Sequence, residues 1–157
     1  AAALIVLFAG IMSVGAVREP VVNFIVKTYE GFKRVLFSGD SLTEIDHVYA
    51  FAEVPEGFVE TQRISNKEMN LVRYENGETG AVIVMSQSIT TDYSFSLDSE
   101  NGEIKTFDTN GKEVKIYCAE SQTLYSAFWV EDTYIMELTY SGETDTDELL
   151  RLINTIK

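Results

Sequence analysis

The 157-residue chain changes its hydrophobic period twice. Residues 1–17 carry no charge, and Ser13 is their single polar side chain. A helix on a soluble core keeps one polar face, so this run does not read as one. A membrane span needs about 20 apolar residues, with a lower bound near 17. The run meets that bound, and we expect a transmembrane segment whose upstream end extends beyond Ala1. A cleaved signal is the alternative, with Val14-Gly15-Ala16 as a small-residue cleavage site. No Cys follows the run, which argues against a lipoprotein anchor.

After Arg18-Glu19-Pro20 the period is helical. Val22, Ile25, Tyr29, Phe32 and Leu36 recur at three- and four-residue steps. Pro20 suits the first helical turn, where its missing N–H costs nothing. The pattern predicts a helix continuing from the span and docking on the body. Gly31 offers a second reading, in which the helix stops early and 32–37 becomes a strand. A linker with Gly39, Asp40 and Ser41 follows, and then Pro55-Glu56-Gly57, a tight-turn signal.

From Phe58 the period is two. Strands are expected near 58–65, 69–75, 80–89, 93–98, 103–108, 112–119, 122–131 and 133–141. The clearest places Tyr134, Met136, Leu138 and Tyr140 on one face, with Thr133, Glu137 and Thr139 on the other. Asn76-Gly77, Asn101-Gly102, Asn110-Gly111 and Glu131-Asp132 separate the strands. Short loops imply an antiparallel meander. Stretches 81–85 and 124–130 are apolar on both faces, so their strands should be central and covered twice. The last segment returns to helical spacing: Leu149, Leu152, Ile153 and Ile156 form a stripe, with Thr144 as cap and Asp147 in capping-box position. This helix is the expected cover for the sheet.

The fold class is therefore α+β: an N-terminal helix, a curved antiparallel meander of seven to eight strands, and a C-terminal helix packed on it. The division is 1–17 transmembrane segment, 18–44 juxtamembrane helix and linker, and 45–157 sheet-plus-helix domain.

Charge sharpens this picture. The net charge is −13, yet residues 1–39 sum to +2 and residues 40–157 to −15. An acidic body is repelled by nucleic acid and anionic lipid and attracts cations. We expect no nucleic-acid partner. The bases Lys27, Lys33 and Arg34 suit a cytoplasmic headgroup surface, which runs against an outside placement of the domain.

The residues that usually carry chemistry are scarce. Cys118 is the single cysteine, so no internal disulfide forms. It shares a strand face with Val114 and Ile116 and reads as a small buried apolar residue. His47 is the single histidine and reads as a solvated loop residue. No G-x-S-x-G elbow accompanies it, and one Cys with one His makes no usual zinc set. Asp98-Ser99-Glu100-Asn101-Gly102 and Asp108-Thr109-Asn110-Gly111 are oxygen-rich, but their glycines miss the sixth position of a calcium loop. Gly77-Glu78-Thr79-Gly80 lacks the Lys of a phosphate loop. Tyr125, Phe128, Trp129, Tyr134 and Tyr140 read as core and sheet-face residues, or as the lining of a hydrophobic cleft.

Several of these pieces occur in a recognisable order. Val54-Pro55-Glu56-Gly57-Phe58 opens the domain, followed by Tyr74, Asn76-Gly77 and 82–87 with a terminal Gln. Leu97-Asp98-Ser99-Glu100-Asn101, Asn110-Gly111-Lys112-Glu113 and Phe128-Trp129 come next, then the helix from Asp147 to Ile153. Over residues 45–157 this order resembles the bacterial family called domain of unknown function 4367. The resemblance implies a single-span membrane protein of Gram-positive bacteria, with the domain at the extracytoplasmic C-terminal end and a layout in some members like that of anti-sigma factors. It also implies a retained span. The family's usual Ala-Glu-Ser-Ile ending is here Ile153-Asn154-Thr155-Ile156. No activity, cofactor or catalytic residue comes with the resemblance.

The function expected from sequence is thus a non-enzymatic, membrane-anchored binding or sensing module. It would be held in the membrane through residues 1–17 and engage a protein or envelope component. A carrier of lipid or another apolar ligand between sheet and helix is the alternative. No catalytic, cofactor-binding or metal-ligating residue is assigned.

Overall fold

In the computed structural model, residues 42–89 and 102–157 are described in full. Backbone alone is described for the strands β1 (Ile5–Leu7), β2 (Asn23–Tyr29), β3 (Phe32–Ser38) and β7 (Ser94–Asp98). These four pair antiparallel in the order β1-β2-β3-β7. The helix expected from Pro20 is thereby corrected, since strands occupy 23–29 and 32–38; the second reading, a strand over 32–37 after Gly31, agrees with β3. Their Val, Ile, Phe, Thr and Tyr residues favour extended backbone. Apart from Ile5–Leu7, the expected membrane span lies outside the described residues, as do the turn at Asn101 and the loop 99–101. Among the described residues, no helix is long and apolar enough to cross a membrane.

The body is an open antiparallel sheet of seven strands. They are β4 (Phe58–Ser65), β5 (Met69–Asn76), β6 (Val82–Ile89), β8 (Gly102–Thr109), β9 (Lys112–Ala119), β10 (Leu124–Glu131) and β11 (Tyr134–Ser141). Each lies within two residues of the boundaries expected from alternation. The spatial order is β4-β5-β6-β11-β10-β9-β8. A simple meander of all eight strands is thus corrected. β7 pairs with β3 instead, and the chain re-enters the sheet at its far edge. Two meanders, β4–β6 and β8–β11, are zipped together by β6 against β11.

The turns follow their residues. Asn110 (φ 52°) and Gly111 (φ 77°) both sit in the left-handed region that a two-residue hairpin of this type requires. Asn76 folds its own turn, with Oδ1 accepting from the N–H groups of Glu78 and Thr79.

The C-terminal helix α1 (Thr146–Ile153) packs on one face of the sheet. Leu149, Leu152, Ile153 and Ile156 are buried as expected. They meet rows of cross-strand neighbours: Ile83–Tyr140–Tyr125, Met85–Leu138–Ala127 and Gln87–Met136–Trp129. The cap differs from the sequence reading. Asp145 is the N-cap, and its Oδ1 accepts from the Glu148 N–H at 2.8 Å. Thr144 lies one residue too early, and its buried hydroxyl has no partner among the described residues. The opposite face is also buried at its centre, through Phe128, Ile135, Tyr117 and Lys115. β6 and β10 are therefore interior strands buried on both faces, as their unbroken apolar runs imply.

A strap, residues 42–52, leads into the domain and lies beside the C-terminus. Ala50 exchanges backbone hydrogen bonds with Lys157, and Ala52 donates to Thr155. Phe51 bridges to Ile156.

Candidate functional site

Two places concentrate polar chemistry. The first is the clasp that holds the strap. Gln87 is fully buried on the helix face of β6. Its Oε1 accepts from the Tyr49 N–H at 3.1 Å, and its Nε2 donates to the His47 carbonyl at 2.7 Å. The side-chain amide thus imitates a neighbouring strand. The Tyr49 hydroxyl donates to Asp132 Oδ2, and the Tyr134 hydroxyl donates to Asp46 Oδ1. Burial, the bond to Asp132 and the negative charge around it all push the Tyr49 hydroxyl far above the usual tyrosine range. Burial and the bond to Asp46 raise Tyr134 in the same direction. Both tyrosine hydroxyls, the Tyr49 N–H and the Gln87 amide have partners and the rings meet edge-on, so the cluster reads as a structural latch.

The sequence's other candidates fall around this frame. His47 is exposed, its ring edge-on to Tyr49 with centroids 4.6 Å apart, which agrees with a solvated loop residue. Cys118 shares the face of Val114 and Ile116 and packs against the core, but is half-buried rather than buried; it lies near the sheet edge, one strand in from β8. The Asp108–Gly111 stretch is a hairpin turn. Among the described residues, no group of three or more His, Cys, Asp and Glu side chains is placed to hold a metal ion. Tyr125, Phe128, Trp129, Tyr134 and Tyr140 are all buried as core or sheet-face residues.

The second place is a cleft of about 960 Å³ beside the helix. Glu148, Arg151, Leu152 and Thr155 recur at helical spacing and form one wall. The 53–56 loop and Gly142-Glu143 supply further lining, and Phe58 and Tyr140 supply aromatic surface. The Pro55–Phe58 turn sets the loop: Phe58 N–H donates to the Pro55 carbonyl, and Gly57 adopts φ 81°. The Phe58 and Tyr140 rings meet edge-on at 6.0 Å. Four carboxylates, Glu53, Glu56, Glu143 and Glu148, line this space against one base, Arg151. That base is bound bidentately by Glu148 at 2.6 and 2.8 Å, which raises its pKa. Burial raises the Tyr140 hydroxyl, and Glu148 adds to it.

Sequence reasoning singled out Pro55-Glu56-Gly57 as a turn and Tyr140 as core, but assigned no site. The cleft assembles residues from the 53–56 loop, β4, β11 and α1, which are far apart in the chain. The signal available was local: an acid next to an aromatic in Glu56-Gly57-Phe58.

No curated protein and no solved structure matches the chain. The family model described as domain of unknown function (DUF4367) matches residues 48–156. That span takes in Tyr49 and Gln87 of the clasp, the cleft, the seven-stranded sheet and the helix. The chain belongs to this family, the domain of unknown function (DUF4367).

Proposed function

We propose that the domain is a non-enzymatic binding module that takes a cationic segment of a partner protein into the cleft beside α1. The observation that carries this is the lining: four carboxylates, one already-paired arginine and two aromatic rings around a groove of about 960 Å³. A lysine or arginine side chain entering there meets negative charge, which attracts a cation, with aromatic surface beside it for its aliphatic stem. The net charge of −15 over residues 40–157 steers such a partner toward the domain.

The carrier reading has less support. Its volume criterion of about 300 Å³ is exceeded. An apolar ligand, however, would have to strip water from four carboxylates. Between sheet and helix, Leu149, Ile153, Met136 and Leu138 are already fully buried against one another. We further propose that residues 1–17 tether the module to a membrane, with the domain extracytoplasmic. The charge-free opening run and the family resemblance support this; the basic collar at Lys27, Lys33 and Arg34 and the pairing of Ile5–Leu7 with β2 weigh against it.

The test is a titration of the isotope-labelled full chain in detergent with a short oligolysine peptide and a neutral control of equal length. Amide shifts confined to the cleft, lost in a Glu53→Lys/Glu56→Lys variant, are expected. Shifts spread evenly over the acidic surface, or none at millimolar peptide, refute the cleft. Protease protection on intact cells tests the placement: digestion of the domain only after lysis refutes it.

A further inference from the structure

The edge strand β4 has a self-complementary sequence, and we infer that two copies of this chain pair through it, antiparallel, to make one continuous fourteen-strand sheet. β4 bonds to β5 on one side only, so its outer edge is free of strand partners among the described residues. From Val59 to Ile64 it reads Val-Glu-Thr-Gln-Arg-Ile. About a two-fold axis between Thr61 and Gln62, Val59 faces Ile64 of the second copy, Glu60 faces Arg63, and Thr61 faces Gln62. An apolar pair meets an apolar pair, and each acid meets a base.

This register would fail in a regular strand. Val59 and Ile64 are five residues apart, and strict alternation puts them on opposite faces. The bulge at Thr61 repairs the parity. Across it, Glu60 pairs with Tyr74 and Arg63 with Val72, both on the helix face. Val59 pairs with Glu75 and Ile64 with Leu71, both on the other face. A two-fold axis perpendicular to the sheet preserves faces, so both pairings are sterically consistent. Val59 is 62 % exposed and Ile64 40 %, a cost to a monomer that pairing removes. A bulge normally guards an edge against foreign strands. Here it admits a strand that carries the same bulge at the symmetry-related place. Glu60 and Arg63 already pair within one chain at 2.7 Å. In the dimer the two pairs become a four-charge cluster around the axis.

Sedimentation velocity of the full chain in detergent reads the state directly, with a dimer dissociating more tightly than about 1 mM. E60R and R63E each place like charges across the axis and should weaken the dimer at least about tenfold. Mixing the two variants restores opposite charges between chains while leaving each chain internally mismatched, so heterodimers should recover. Independently, V59C mixed with I64C, both in a C118S background, should crosslink on mild oxidation, and neither should crosslink alone. A monomeric wild type, a dimer indifferent to E60R and R63E, or failure of V59C to bond with I64C each overturns the inference. None of these readouts involves the cleft, so their failure leaves the binding reading standing.

Discussion

Replacing Gln87 by leucine removes the latch without leaving a hole. Gln87 is 0 % exposed and makes two hydrogen bonds to the strap, at 3.1 and 2.7 Å. Each is worth about 1 kcal/mol net. The Tyr49 N–H, in a buried residue, then has no acceptor there, which costs about 1–2 kcal/mol more. The apolar replacement returns roughly 1 kcal/mol. The net loss is about 2–3 kcal/mol, a fall in Tm of about 4–12 °C for a chain of this size. Urea unfolding followed by circular dichroism measures the first number, and amide exchange at Tyr49 shows whether the strap opens ahead of the sheet. Gln87→Glu adds a signed control. Its carboxyl could accept from Tyr49 but could donate to His47 only when protonated. Burial raises a folded-state carboxyl above its unfolded value near 4.3. The variant is therefore most stable below that value and loses stability as pH rises through its folded pKa. A Gln87→Leu protein within about 0.5 kcal/mol of wild type, the size of an ordinary surface substitution, refutes the latch.

Four further outcomes are expected. Asp145→Ala costs about 1 kcal/mol by unfolding, whereas Thr144→Val is neutral or stabilising because its buried hydroxyl has no partner to lose; the reverse order would restore Thr144 as the cap. Leu149→Ala or Ile153→Ala, both fully buried under the sheet, costs about 2–5 kcal/mol by the same measurement. Gly142→Ala destabilises by about 1–3 kcal/mol, since φ is +140° and a Cβ would sit 2.7 Å from that of Ala81; the altered cleft wall should also shift the amide resonances of the 53–56 loop. Tyr49, Tyr74, Tyr125, Tyr134 and Tyr140 all have hydroxyls raised above the unfolded value by burial. Their contribution is complete below about pH 10 and lost as pH climbs through the folded values. A pH titration of Tm should therefore fall above that point, less steeply in Tyr49→Phe.

The strands of the body were legible because alternation is local. Tyr134, Met136, Leu138 and Tyr140 face one side whichever strands flank them, and Asn110-Gly111 forces a hairpin without tertiary help. The stretches 23–29 and 32–38 misled because their apolar residues recur at helical steps, while their β-branched and aromatic residues favour extended backbone. The cap at Asp145 was missed by one residue, since Thr144, Asp145, Asp147 and Glu148 all carry the right chemistry. Only the direction of the chain entering the helix selects among them. His47 was correctly read as an exposed loop residue, but its carbonyl, not its ring, is what the latch holds.

By itself the sequence determined the seven body strands, the closing helix with its buried stripe and the acidic charge of the body, because each rests on periodicity, turn residues or composition within a short window; the family was legible from the order of its motifs along the chain. The tertiary structure alone decided that β6 pairs with β11, that Gln87 reaches across 40 residues to clasp the strap, and that four glutamates from three separate segments share one cleft. Those are encounters between distant parts of the chain. They are fixed by which faces must be buried together, and that is a property of the assembled sheet that no local pattern encodes.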